Sequence, residues 1–325
     1  MFRSFTLSLA LSALVVSSTG CIQQAEEHPV RKALPTADNI RINLPEQNAD
    51  EPQQYALGQL ADYYVLTRQV TRDFNAGAGF VLILVHAIVQ YPPTTVDGDT
   101  YTWGGEGSSG PLEPADYRLT VTNNLDGSYD WSLDGKSKLD PNAQFITVIA
   151  GNAVEGSEPN RGTGSFYIDF DAAELVNPID NDARGRVDVA YDLENTDGSQ
   201  AFIDMHIETA EVDENGDLQP VSADYHYAEN ADGSGDFQFS IHGDLDQDGG
   251  NMFEDATIRS RWLNDGSGRA DITVTGGDLG DISVSASECW DSRFGRTYYS
   301  DSMEWAPSEG DVADCPFADA SLPDA

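Results

Sequence analysis

Apolar and polar residues alternate along most of the chain after residue 94. Successive side chains of a β-strand point to opposite faces, so this period of two predicts half-buried strands. The alternating runs lie at residues 119–121, 129–133, 166–170, 187–193, 237–241 and 272–274. Asp-Gly turns near these runs predict hairpin tips with a positive-φ glycine, at residues 126–128, 134–136, 197–199, 232–234 and 265–267. We therefore expect an antiparallel meander of about ten strands over residues 94–288.

The segment before these strands has a helical period instead. No proline occurs between Gln54 and Gln90, apolar residues recur near every 3.6 positions, and two prolines follow at 92–93. This pattern predicts one long helix over residues 54–91. Its second half, residues 80–89, is apolar all round and too short to span a bilayer, so we expect it to be buried in protein. A buried strand is the alternative for that half.

The two patterns together predict a mainly β, α+β fold. The antiparallel strands form a strongly curved sheet or an open barrel, and the long N-terminal helix packs on it. This architecture resembles that of the bacterial periplasmic lipoprotein carriers, whose half-barrel cups acyl chains under a helix. The resemblance implies an apolar ligand between helix and sheet, although a shared architecture does not establish a function. Residues 289–325 are expected to form a disulfide-pinned cap with a loose tail.

The N-terminus reads as a targeting segment rather than as part of the fold. Arg3 is followed by an apolar stretch too short for a membrane span, and then by Ser-Ser-Thr-Gly-Cys21. This segment resembles the lipobox of bacterial lipoproteins, with Ser18 where that family prefers leucine. The resemblance implies a signal peptide over 1–20 and lipidation of Cys21. It also implies delivery to the outer membrane, facing the periplasm or the exterior. An ordinary secretory signal is the alternative.

Residues 21–53 are polar, carry scattered prolines and lack periodicity. They predict a disordered tether between the lipid and the folded part. The remaining cysteines, Cys289 and Cys315, are expected to pair in an exported protein, because neither belongs to a Cys-x-x-Cys motif and the compartment is oxidising. A reactive thiol is the alternative.

Charge restricts the partners that the protein can have. The chain of 325 residues has 17 Lys and Arg against 56 Asp and Glu, a formal net charge of -39. Such a charge repels nucleic acid and anionic lipid headgroups, so we expect no nucleic-acid partner. It favours cations, basic partners or simple solvation in salt-rich surroundings. The oligomeric state is not indicated.

The stretch DLDQDGGNMFED, residues 244–255, is the clearest chemical signal. Its acids stand at positions 1, 3, 5 and 12 around a glycine at position 6, and calcium prefers six to eight such oxygen ligands. The candidate ligands are Asp244, Asp246, Asp248 and Asp255. The flanks predict strands rather than helices, so the loop is not an EF-hand. A solvated acidic hairpin is the alternative, and calcium is the one cofactor that the sequence suggests.

Three histidines define a second constellation. His206, His226 and His242 each fall on the polar face of a predicted strand, and turns near 216 and 233 would bring those strands side by side. Three imidazoles on one face could bind zinc with an open fourth position. Three separate surface histidines are the alternative, because the register of the strands cannot be read from the sequence.

Other catalytic signatures are missing from the sequence. It has no G-x-S-x-G elbow, no H-E-x-x-H and no P-loop. We therefore expect a lipid-anchored, exported, non-enzymatic scaffold or binding protein of the bacterial cell envelope, which binds an apolar ligand or an envelope protein. A calcium-stabilised surface or adhesion module is the first alternative. A zinc hydrolase at the three histidines is the second.

Overall fold

The computed structural model describes residues 30–36, 39, 60–72, 85, 88–89, 91–181, 183–195, 199–212, 218–245, 252–304 and 306–321. The chain divides into two compact units. The first comprises residues 1–41 and 75–194, and the second comprises residues 42–74 and 195–325. The described residues are mainly β, as predicted, with fourteen antiparallel strands and three α-helices. The expected ten strands were too few.

The first unit contains seven strands, each hydrogen-bonded to the next in the chain. They are β1 (Thr95–Asp97), β2 (Thr100–Gly104), β3 (Ala115–Asn123), β4 (Ser128–Ser137), β5 (Ile146–Val154), β6 (Thr163–Asp169) and β7 (Arg186–Asp192). The cross-strand row Leu119, Leu133, Ile149 and Ile168 is buried, because alternate residues of each strand share one face. The unit also contains helices α1 (Val30–Ala33) and α3 (Phe170–Val176).

One predicted hairpin tip of the first unit is wrong. Gly135 does not form a turn but lies inside β4, where it is paired with Tyr117 of β3. A Cβ atom at this position would lie 2.5 Å from Cγ1 of Val176 in α3. The glycine is therefore required for the close approach of the helix to the sheet.

The second unit contains the other seven strands in the same meander order. They are β8 (Ala201–Val212), β9 (Leu218–Glu229), β10 (Gly235–Gly243), β11 (Glu254–Trp262), β12 (Gly268–Gly276), β13 (Val284–Trp290) and β14 (Arg296–Asp301). The last two strands extend the sheet past residue 288, where we had expected a separate cap. Trp290 and Phe294 of this region are buried in the core of the unit.

A helix covers the apolar face of the second unit. Residues 62–72 form α2, whose Tyr64 ring stacks on Phe294 with centroids 4.4 Å apart and packs against Trp290 at 5.6 Å. Thr67 and Ser260 of β11 share a hydrogen bond of 2.6 Å between their hydroxyl oxygens. The helix-on-sheet arrangement is thus present here. A continuous helix over 54–91 is not shown, because most other residues of that range lie outside the described ones.

The N-terminus of α2 is held by a buried carboxylate. Glu288 of β13, which is fully buried, accepts hydrogen bonds from the backbone N–H groups of Asp62 at 3.0 Å and Tyr63 at 2.6 Å. Arg296 donates to the same carboxylate at 2.5 Å. Burial raises the pKa of Glu288, and the Tyr63 amide and Arg296 partly offset that rise. This contact satisfies amides that a helix end leaves unpaired.

Three hairpin tips share one geometry. At Asp126, Asp232 and Asp265, an aspartate oxygen accepts from the N–H and the hydroxyl of the serine two residues later, and the glycine between has a positive φ. In the second unit, a tryptophan of the following hairpin donates a hydrogen bond to the tip before it. Nε1 of Trp262 donates to the Gly233 carbonyl at 3.1 Å, and Nε1 of Trp290 donates to that of Gly266 at 2.9 Å. The predicted tip at 197–199 lies largely outside the described residues.

The predicted pairing of Cys289 with Cys315 is confirmed, because the two form a disulfide. It fixes the C-terminal segment to β13 of the second unit. The segment 317–321 then runs over the polar face of that unit, and we call it the strap. Among the described residues, no helix has the length and apolar character needed to cross a membrane.

Candidate functional site

The polar face of β8–β11 carries three histidine–aspartate pairs. In each, Nδ1 of a histidine lies 2.6–2.8 Å from a carboxylate oxygen on the adjacent strand. The pairs are His206 with Asp224, His226 with Asp204, and His242 with Asp255. The register places each aspartate directly opposite its histidine, so strand pairing itself makes these contacts. All three histidine side chains are 42–48% exposed.

The register does not bring the three histidines to one point. His226 lies level with Gln238 of β10, His206 is one same-face step away, and His242 is a further step along. Each step of two residues is about 7 Å, whereas zinc ligands must all lie about 2 Å from the metal. The described part of the chain contains no group of three histidine, cysteine or acidic side chains placed to hold a metal ion. The arrangement therefore gives the zinc hypothesis no support.

His206 has the most acidic surroundings of the three. Its Nε2 lies 3.4 Å from Glu208 in addition to the Nδ1 contact with Asp224. The hydrogen bond to Asp224, and then that to Glu208, raise the pKa of His206 above its ordinary value. Because the pair is half exposed, solvent screens much of this attraction. The face can therefore attract protons, cations or a basic partner.

The predicted calcium loop is described only at its ends. Asp246 and Asp248 lie outside the described residues, so calcium binding by 244–255 stays a prediction. Asp255, the acid at position 12, is the partner of His242. A calcium ion would compete with the imidazole for that carboxylate. The neighbouring Glu254 is buried and accepts a hydrogen bond from the backbone N–H of Leu245 at 2.8 Å.

Beside the histidine pairs lies a buried group of ions that the sequence analysis missed. The arginine cluster consists of Arg259 and Arg261 on β11 and Arg269 on β12. Arg259 pairs with Asp236, and the other two arginines share Asp271. The side chains of Arg269 and Asp271 are 4% and 1% exposed, and Nε of the arginine lies 2.9 Å from the carboxylate. Burial lowers the pKa of Arg261, and the carboxylate of Asp271 partly offsets this shift.

The strap covers the arginine cluster. Arg269 donates to the carbonyl oxygens of Phe317 at 3.0 Å and Ala318 at 2.9 Å, and Arg261 donates to that of Asp319 at 2.7 Å. The guanidinium of Arg261 also stacks over the Phe317 ring, 4.8 Å from its centroid. The disulfide at Cys315 and the arginines therefore both hold the C-terminal segment to the second unit.

A sequence signal for the cluster did exist. Arg259 and Arg261 are two residues apart, on one face of a predicted strand, in a chain with only 17 basic residues. Their position beside Arg269 depends on the pairing of β11 with β12, which places Arg261 opposite Arg269. Two like charges so placed repel each other, and the carboxylate of Asp271 compensates for this.

The polar face of the second unit offers side chains that can bind a partner. Its histidine pairs are exposed and acidic, and its arginines are occupied by the strap. Comparison with protein-family models, with curated proteins and with solved structures finds no match to this chain.

Proposed function

We propose that the protein is a lipid-anchored, exported, non-enzymatic scaffold or binding protein of the bacterial cell envelope. The observation that carries the proposal is the lipobox-type segment that ends at Cys21. The disulfide between Cys289 and Cys315 supports it, since structural disulfides persist in oxidising compartments such as the periplasm. The net charge of -39 argues against contact with nucleic acid.

The packing of the second unit favours the scaffold version over a cup for an apolar ligand. Trp262, Trp290 and Phe237 are almost fully buried on the face that α2 covers. Tyr64 of α2 occupies the space next to Trp290 and Phe294. The apolar surface of this unit is thus largely used for its own core, and we expect partners to bind on the polar face.

Lipidation is tested with the full chain expressed in a Gram-negative host fed with radiolabelled palmitate. We expect label in the protein and partition into the detergent phase, both of which Cys21→Ser abolishes. Cys315→Ser is the matched control, because it removes a cysteine that is not in the lipobox and leaves the label in place. An unlabelled wild-type protein in the aqueous phase would refute the lipid anchor.

The ligand version has a separate test. The protein is purified from its host, its solvent-extractable lipids are measured by mass spectrometry, and the lipids covalently bound at Cys21 are excluded. The scaffold version predicts no stoichiometric co-purified acyl chain. About one such chain per protein would support the cup instead.

A further inference from the structure

The first residues described after the lipobox are docked in the first unit rather than free. Val30, Ala33 and Leu34 are fully buried although they lie within the predicted tether of 21–53. Asn160, in the turn between β5 and β6, holds this segment through its side-chain amide. The amide donates to the carbonyl oxygens of Arg31 at 2.5 Å and Leu34 at 2.7 Å.

The backbone of the same turn adds a third contact, because the N–H of Asn160 donates to the Lys32 carbonyl at 2.7 Å. Three hydrogen bonds from one residue thus close the carbonyl end of α1. Asn160 adopts a positive φ of 64°, which asparagine tolerates better than most residues. The docking is therefore built into both the helix and the turn that receives it.

The position of α1 limits how far the unit can move from a lipid at Cys21. Val30 follows Cys21 by nine residues, and a fully extended chain spans at most 3.3–3.6 Å per residue, so the reach is about 30 Å. A free tether up to residue 53 would reach more than three times as far. Because the segment is docked, only residues 22–29, which we call the leash, separate the lipid from the first unit. The leash is short, and α1 fixes its point of attachment.

The charges around this attachment point differ from those of the whole chain. Three bases, Arg31, Lys32 and Arg161, stand against the acids Glu155 and Glu158 of the turn and Glu194, which accepts a hydrogen bond from the Ser157 N–H. The charges here are therefore balanced, although acids outnumber bases more than threefold overall. Lys32 is exposed, and Arg161 lies 3.8 Å from Glu158. Anionic lipid phosphates would repel most of the molecule, but they repel this balanced surface less and attract the exposed Lys32.

We propose that α1 and the β5–β6 turn, residues 155–162, form the surface that the first unit turns to the bilayer, with lipid headgroups as its partner. This inference rests on lipidation at Cys21. The leash and the local charge act together, because the leash keeps the surface close and the balanced charge of the surface weakens the repulsion.

The orientation is tested by energy transfer from a labelled protein to a headgroup-labelled lipid. The lipidated full chain is placed on vesicles of phosphatidylethanolamine and phosphatidylglycerol, with one dye at Ser157→Cys or at Asn142→Cys. Both sites are exposed, and they lie beyond opposite ends of β5. The strand between them is about 26 Å long. We expect the stronger transfer from residue 157. Equal transfer, or stronger transfer from residue 142, overturns the proposal.

Two variants separate the leash from the anchor. Insertion of thirty Gly and Ser residues between Glu27 and His28 should leave the protein on the vesicles but remove the difference between the two dyes. Asn160→Gly should act in the same direction, because glycine keeps the positive φ and loses both side-chain donors. A difference in energy transfer between the two dyes that persists after the insertion would show that the length of the leash does not orient the unit. If the wild-type chain does not float with vesicles, the lipid anchor and this inference both fail; if it floats with equal transfer, only the inference fails.

Discussion

Arg269→Met tests whether the buried arginine cluster holds the second unit and its strap together. The substitution keeps an apolar stem of similar length and removes the guanidinium. That group makes its ion pair with Asp271 and donates to two strap carbonyls and to the hydroxyl of Ser287 at 3.2 Å. It leaves the carboxylate of Asp271 buried, with Arg261 at 3.3 Å as a more distant partner.

The expected cost follows from burial. Removing one member of a buried ion pair typically costs about 3–5 kcal/mol, because the other charge is left uncompensated. The pair qualifies, since its side chains are 4% and 1% exposed. Arg259→Met is the matched control: Arg259 pairs with Asp236 at 2.7 Å but is 28% exposed, so we expect about 1 kcal/mol. The double variant Arg269→Met/Asp271→Leu should recover part of the loss, because it removes both charges.

The assay is guanidinium unfolding followed by tryptophan fluorescence, since the buried Trp262 and Trp290 report on the second unit. Hydrogen exchange of residues 317–321 measures release of the strap in the same variants. A loss below about 1 kcal/mol for Arg269→Met, or one no larger than that for Arg259→Met, would refute the reasoning. Unchanged exchange in the strap would show that Arg269 does not hold it.

Four further outcomes are expected. Reducing the disulfide, or Cys315→Ser, should cost about 3.5 kcal/mol in denaturant unfolding, from the 26-residue separation of its cysteines; a change under about 1 kcal/mol would contradict this. The raised pKa of His206 means that its pairing stabilises the fold below the unfolded pKa of about 6.5 and that this gain is lost as pH rises through the folded pKa. The difference in melting temperature between wild type and His206→Gln should therefore decrease as pH rises from about 6 to 8. A difference that does not change with pH would oppose the assignment. Asn160→Gly should speed tryptic cleavage after Lys32, and an unchanged rate would show that burial alone holds α1. If 244–255 binds calcium, a hundredfold excess over Kd adds about 2.7 kcal/mol of stability that EDTA removes, and an equal effect of sodium at matched ionic strength would reject the site.

Hairpin tips were the most predictable part of the fold. Asp126, Asp232 and Asp265 each precede Gly-Ser, and that local chemistry closes the turn by itself, with hydrogen bonds from the serine. Gly135 carries the same Asp-Gly signal but serves the packing of Val176. A contact with a helix some forty residues away leaves no trace in the local sequence.

Strands without an apolar stripe were missed. β1 is three residues long and exposed throughout, so it has no alternation to detect. β14 and the last two residues of β13 fall within residues 289–325, which were expected to form a cap. Cys289 and Ser287 of β13 lie opposite Arg269 and Asp271 of β12, on the face that the strap covers. Burial on both faces weakens the period of two, on which the prediction depended.

The candidate site shows the same limit. The polar faces of His206, His226 and His242 were predicted from alternation, and their exposure agrees with it. Their partners depended on the register, which is set by turns whose length and type the sequence does not determine. Cross-strand pairing gives each histidine its own aspartate, whereas the sequence left open both a common metal and three separate surface histidines.

The tie from each tryptophan to the preceding hairpin tip has a consequence for how the second unit forms. Trp262 and Trp290 link neighbouring hairpins, and each strand pairs only with those next to it in the chain. Contacts of short sequence separation cost little loop-closure entropy, so folding can start at one hairpin and spread to its neighbours at a rate typical of low contact order. In such a linear array, a whole hairpin with its tryptophan could be duplicated while the remaining strands keep their register.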